Sequence, residues 1–312
     1  MKINVAGLSI GGGRKENFFF ALLEFFPDSK RWFLTSLHQV KESLGKDSDE
    51  VLQKWTHDYE LKELILDFPL TLPPCHTCKL LCPGIKKCAE ASVSHIRQVM
   101  STILKQDREH YDKGIKAYEQ SRVDNKILDL KKDILKKTSD EHLLSKSFKR
   151  KLKKGFLPYW NRPLDVWVWQ NYYDQLLELF EISFDSFGPI SPMLLFKFEY
   201  LKRHFSPELK LFESQASFCL IELLRSKIVS QKNLMDLQKF DLGAGARLEI
   251  VKKMEKSLGI FIYEHDLDLI IRNENAFDSF LLAVVGRQYV QKKIKIIPKE
   301  YGSAPFLIPD FV

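Results

Sequence analysis

Cysteine is scarce in this chain and unevenly placed. Of five in 312 residues, four fall between Cys75 and Cys88 and the fifth, Cys219, stands alone. That distribution excludes a disulfide framework, which spreads its cysteines through a small secreted chain. Long apolar runs are lacking too. No window approaches the roughly 18 uncharged apolar residues of a membrane-spanning helix, so no membrane partner is expected. The opening MKINVAGLSIGGG carries one lysine and a short apolar run ending in glycine, which reads as a buried first strand rather than a signal peptide. A soluble, cytoplasmic protein is the expectation. Gly11, Gly12 and Gly13 do not spell a GxGxxG turn opening a helix, and no Lys-Ser/Thr pair follows them. Neither a dinucleotide fingerprint nor a phosphate-binding loop is therefore indicated.

What the chain does have is a core and a positive charge concentrated in one place. Hydrophobic residues make up 45% and aromatics 12%, ample for one large α/β domain with an insertion or for two domains. The net charge is +7 and the pI near 8.9, a balance that favours an anionic partner. Lys126 to Lys154 carries eleven Lys or Arg against four Asp or Glu, a surplus equal to the whole net charge. Within it, Lys146, Lys149, Arg150, Lys151, Lys153 and Lys154 flank Phe148 and Phe156. Basic side chains beside an aromatic suit contact with a phosphate backbone; the alternative is a solvated helical face.

The hydrophobic pattern gives the order of elements. Ile3 to Ile10 is apolar throughout, as in a strand buried on both faces. Asn17 to Phe26 and Arg31 to Leu37 read as two further strands, joined through Asp28-Ser29-Lys30 in an antiparallel meander. Asp47 to Leu61 is helical, with Val51, Leu52, Trp55 and Tyr59 on one face. Glu63 to Phe68 is a fourth strand, which Asp67 closes. This β-β-β-α-β order, with a carboxylate ending the last strand, is the opening of an RNase H-like mixed sheet flanked by helices.

Three helices are expected after Ala89: Ala89 to Leu104, Glu109 to Leu135, and Asp140 to Lys153. Phe156 to Trp169 reads as a lid over the core, with base stacking on Tyr159 or Trp160 as the alternative. Asn171 to Phe184 and Ser191 to His204 are further helices. Leu209 to Phe218 is a fifth strand carrying Glu213 and leading into a helix through Arg225. Leu248 to Leu258 is helical, Ile260 to Tyr263 is short and β-like, and Glu274 to Val290 is a helix with Asp278 near its start. The tail from Ile294 is irregular. The expected domains are 1–88 as the first part of the core with the Cys cluster, 89–155 as a helical basic insertion, and 156–312 as the rest of the core and the tail.

Two kinds of chemistry lie side by side in ELILDFPLTLPPCHTCKLLCPGIKKC. Asp67 sits at the carboxyl end of a buried strand, where open α/β sheets hold their sites. Cys75, Cys78, Cys82 and Cys88 follow with C-x2-C-x3-C-x5-C spacing, and Pro83-Gly84 lets the chain turn back. Four thiolates so spaced suit tetrahedral Zn²⁺ or an iron–sulfur cluster, in which a Cys-Pro pair recurs. His76 is read as a bystander, and the metal as structural.

Four segments in order, VAGLSIGG, ILDFPLTLP, LFESQASF and NAFDSFLLAVVGR, resemble the motifs of the predicted RNase H-like nucleases classed as domain of unknown function 429. The resemblance covers about a third of the chain. It implies a site in which carboxylates hold two Mg²⁺ or Mn²⁺ ions around a scissile phosphate, with Asp67, Glu213 and Asp278 at matching positions. Ser9 stands where that pattern has a first-strand aspartate, and Asn275 where the helix motif has its first aspartate. Two main readings follow: a metal-dependent nuclease using Asp67, Asp278 and Glu213, or a non-catalytic protein of the same fold that binds nucleic acid through Lys126 to Lys154. A scaffold whose basic helices meet an acidic protein is the third.

Overall fold

A computed structural model describes residues 3–11, 17–41, 47–114, 116, 156–182, 192–302 and 305–311. Its elements divide into two compact units, both discontinuous in sequence: Met1–Leu70 with Ile190–Ile296 and Pro305–Val312, and Thr71–Pro189 with Ile297–Ala304.

The first unit is a six-stranded mixed sheet with helices on both faces. Its strands are β1 (Ile3–Gly11), β2 (Asn17–Phe26), β3 (Arg31–Val40), β4 (Glu63–Leu66), β5 (Lys210–Glu213) and β6 (Ile260–Phe261), in the spatial order β5-β4-β1-β2-β3-β6. β1, β2 and β3 pair antiparallel. β4 runs parallel to β1, β5 to β4, and β6 to β3. The β2–β3 turn is closed by Lys30 in the left-handed region at φ 53°, and the register slips between Leu22 and Leu23.

Alternation along the strands serves two cores. On one face Ala6, Leu8, Phe20 and Leu22 join Leu52 of α1 (Ser48–Asp58) and Phe198 and Leu201 of a later helix, Pro192–Lys202. Phe20 stacks on Tyr59 at 6.0 Å and meets Trp55 at 5.4 Å. On the other face lies the long helix Glu274–Val290, packed on β1, β2 and β4. Its apolar residues run all the way round, from Ala276 and Phe277 to Val284 and Val285, all at most 3% exposed. Such a helix is stable only as a core element. Its close approach explains Gly7: a Cβ there would lie 2.2 Å from the Ser279 carbonyl oxygen and 2.4 Å from the Ala283 nitrogen. Gly286, further along the helix, meets the sheet at Ile65 and Val5. The helix thus runs antiparallel to β1 and β4, with its N-terminus at their carboxyl ends.

In chain order, the helices are α1 (Ser48–Asp58), α2 (Pro74–Thr77), α3 (Ala91–Lys113), α4 (Pro163–Phe180), α5 (Pro192–Lys202), α6 (Ala216–Arg225), α7 (Gln231–Leu237), α8 (Gly243–Leu258), α9 (Glu264–Arg272) and α10 (Glu274–Val290). α2, α3 and α4 belong to the second unit, where α3 packs on α4. α3 buries Val93, Ile96 and Met100, an i, i+3, i+7 stripe. α4 begins earlier than the sequence suggests, because Pro163 occupies its first turn, where proline costs no hydrogen bond. Arg162 caps it: its backbone N–H donates to Asp165 Oδ2 at 2.8 Å, and its guanidinium donates to Asp165 Oδ1 at 2.8 Å. Phe156 and Trp169 are buried, whereas Tyr159 and Trp160 are 51% and 55% exposed. Helix beyond Lys113 and the expected helix Asp140 to Lys153 fall outside the described residues.

Replacing Gly7 with alanine tests the helix–sheet contact. Backbone atoms, which cannot swing aside, occupy the space. Overpacking at such a point costs about 2–3 kcal/mol, so Gly7→Ala is expected to lower the denaturant midpoint strongly at unchanged m-value. A midpoint equal to that of the wild type contradicts the contact.

Candidate functional site

The carboxyl ends of β1 and β4 and the start of α10 bring three of the sequence-predicted positions together. Ser9 is the seventh residue of β1 and 1% exposed. Asp67 directly follows β4. The Ser9 hydroxyl donates to Asp67 Oδ2 at 2.8 Å, and the Ile10 backbone N–H donates to Asp67 Oδ1 at 2.8 Å. Both oxygens of Asp67 are thus engaged by β1.

Asp278 lies in the second turn of α10, whose N-terminus is capped by the Asn273 side chain accepting from the Ala276 N–H at 3.1 Å. The contact at Gly7 holds this turn over β1. Burial pushes the Asp278 carboxyl up to about 7, with the negative charges of Asp67 and then Glu274 adding to the shift and Arg247 opposing it. Burial also pushes Asp67 up to about 6, against the hydrogen bonds from Ile10 and Ser9. Near neutrality the pair holds a proton that two isolated aspartates would have lost.

Glu213 is handled differently. It ends β5 opposite Leu66, is 1% exposed, and its Oε2 accepts from the Leu70 N–H at 3.0 Å. Its backbone binds the tail, accepting from Leu307 N–H at 2.8 Å and donating to the Pro305 carbonyl at 2.7 Å. This carboxylate fastens the loop after Asp67. Arg247, a residue the sequence did not single out, is 7% exposed; its Nε donates to the Ile271 carbonyl at 2.7 Å and its Nη1 lies 3.4 Å from Glu274 Oε1. A lone arginine in an amphipathic helix gives no signal of such a role.

The metal expectations are overturned. Among the described residues, no group of three or more His, Cys, Asp or Glu is placed to hold a metal ion. This removes Mg²⁺ or Mn²⁺ from Asp67, Glu213 and Asp278; the first and second of these accept from protein donors instead. It also removes Zn²⁺ and the iron–sulfur alternative from Cys75, Cys78, Cys82 and Cys88. Those four are spread along the loop: Cys75 lies in α2, Cys78 just after it, and Cys88 just after a 3-10 turn, Ile85–Lys87. Cys75, Cys78 and Cys82 are exposed, and all four are free thiols. Burial raises the Cys75 thiol pKa, and Cys82, Cys88 and Cys78 add to the rise, an influence through space that falls short of a ligand set. His76 turns to the Tyr159 carbonyl at 3.1 Å instead. The basic residues Lys146, Lys149, Arg150, Lys151, Lys153 and Lys154 lie outside the described residues.

Comparison with known proteins returns nothing similar: no family model, curated protein or solved structure matches the chain.

The carboxyl pair makes stability depend on pH. A carboxyl whose pKa rises on folding makes the folded chain bind more protons than the unfolded one, so stability falls as pH rises. The loss starts above the ordinary value near 4 and is complete above the folded values of about 6 and about 7. Asp278→Asn is expected to flatten this decline and to exceed the wild type in stability at about pH 8. Denaturant unfolding across the range checks it; an unchanged decline in the variant contradicts the assignment.

Proposed function

We propose that this chain is a non-catalytic nucleic-acid-binding protein with an RNase H-like fold. The fold reading is supported by the sheet: three antiparallel strands, then two parallel strands added beyond β1, in the order β5-β4-β1-β2-β3. It is also supported by a carboxylate directly after β4 and a second one on the helix that crosses β1. The order of the segments that resemble domain of unknown function 429 agrees with both.

The observation that carries the non-catalytic reading is the Ser9–Asp67 hydrogen bond. A nuclease of this fold gathers cations at the phosphate with several ionised carboxylates. Here a hydroxyl replaces one carboxylate and donates into the next, while Asp278 retains its proton up to about 7. Asp67 is fastened to β1 through both of its oxygens.

Nucleic acid as the partner is supported by the charge surplus of Lys126 to Lys154. Anisotropy of a labelled oligonucleotide titrated with protein at increasing salt tests it. If the six residues Lys146, Lys149, Arg150, Lys151, Lys153 and Lys154 each neutralise a phosphate, the log–log slope is about −4 to −5. Changing Lys151, Lys153 and Lys154 together to glutamine is expected to reduce that slope by about 2–3. No binding at low salt overturns the partner, and strand cleavage abolished by Asp67→Asn overturns the non-catalytic reading.

A further inference from the structure

A second surface, remote in sequence from the basic segment, carries chemistry that the carboxyl cluster does not use. At the end of the sheet where β2 turns into β3, the alternation of side chains brings aromatics to both faces. Phe25 and Trp32 point to one side, with ring centroids 5.4 Å apart and Trp32 4% exposed. Phe26 and Phe33 point to the other, 4.9 Å apart and edge to face. β6 continues that second row: Phe33 is opposite Phe261 in the parallel register, with centroids 5.3 Å apart. Tyr263 follows at 5.1 Å from Phe261, edge to face.

Four rings therefore form one unbroken row across three strands. Phe26 is 41% exposed, Phe261 40% and Tyr263 46%, and Phe33 between them is partly exposed. Where the same face is covered, by α1, the strands present Phe20 and His38 to Trp55 and Tyr59. Scattered exposed apolar residues are ordinary, but a contiguous patch marks a binding surface. Polar residues at Phe26, Phe33 and Phe261 would satisfy a solvated face, so folding does not explain the choice of aromatics.

We infer that Phe26, Phe33, Phe261 and Tyr263 form a stacking platform for the bases of single-stranded nucleic acid. The inference rests on the proposed nucleic-acid partner and names the form of it that this face takes. Bases stack on aromatic rings without regard to sequence, because every base has a π-face. Phosphates need cations at the edge of such a platform, and the turn supplies Arg31, exposed and paired with Phe26, and the exposed Lys30 before it, against one exposed carboxylate, Asp28. A duplex keeps its bases stacked on one another and offers the rings nothing, so the platform discriminates single strands from double strands.

The test compares a fluorescein-labelled oligothymidine of about twelve nucleotides with a duplex of equal length. Titrations use the full chain and a Phe261→Ala/Tyr263→Ala variant, its fold checked by circular dichroism and thermal midpoint. The variant is expected to bind the single strand about tenfold or more weakly, with the salt slope and duplex affinity unchanged. Phe261→Trp is expected to restore the affinity. Cross-linking with iodouridine-substituted oligonucleotide is expected to mark peptides containing Phe26 or Phe261. Wild-type binding with an alanine variant within about twofold of it overturns the platform alone and leaves the proposed function standing. A dimer of the wild type lost in the alanine variant, at unchanged oligonucleotide affinity, assigns the face to a second copy of the chain and overturns the platform too. No binding by the wild type to either oligonucleotide removes the partner itself.

Discussion

The absence of a side chain at Gly7 sets the distance between α10 and the sheet. With Ser279 and Ala283 backbone atoms inside the volume of a Cβ, the helix backbone lies directly against β1 at Gly7. Everything at the carboxyl end of the strands follows from that. The helix must be apolar around its whole circumference, because sheet and flanking helices enclose it. Its second turn must come down over Ser9, which brings the one ionisable residue of that turn, Asp278, up to Asp67.

Bringing two half-buried carboxyls together has a cost that the surroundings offset only in part. Ser9 and Ile10 donate to Asp67, and Arg247 draws Asp278 downward, yet burial keeps both pKa values above the ordinary range, and for Asp278 the charge of Asp67 adds to the rise. Enzymes raise carboxyl pKa values in the same way to make general acids, so a raised value alone decides nothing. Here the geometry decides. Asp67 already accepts from two protein donors, and Glu213 is bound to the loop that follows. The arrangement is that of a carboxylate fastened to β1, and the proposed binding role is assigned to other parts of the chain: the basic segment and the aromatic row.

Much of the fold was legible in the sequence because it rests on local signals. Apolar runs and the turn at Asp28 gave the three-strand meander, and β2 and α10 begin and end where the pattern places them. β3 runs on to Val40, past the expected end at Leu37, because Val40 is a core residue paired with Phe18 of β2. α7 and α9 were missed: one is seven residues long, and the other begins with four charged or polar residues in five, too weak an apolar period to see. The site was harder to read. Asp67 and Asp278 carried positional signals, at a strand end and a helix start. Ser9 looked like a loss; only the structure reveals it as a donor. The cysteine spacing failed as a metal signal because spacing along a chain does not fix where the thiols point.

The account turns on Ser9 holding Asp67 while Asp278 keeps a proton, and the carboxyl groups themselves report on that. Aspartate side-chain ¹³C shifts followed by NMR from acid to alkaline pH give each titration directly. Asp67 is predicted to titrate near 6 and Asp278 near 7. Ser9→Ala is predicted to move the lower of the two upward, since its hydrogen bond favours the charged form. All aspartates titrating close to the ordinary value of about 3.9, or an Asp67 indifferent to the loss of Ser9, would contradict it.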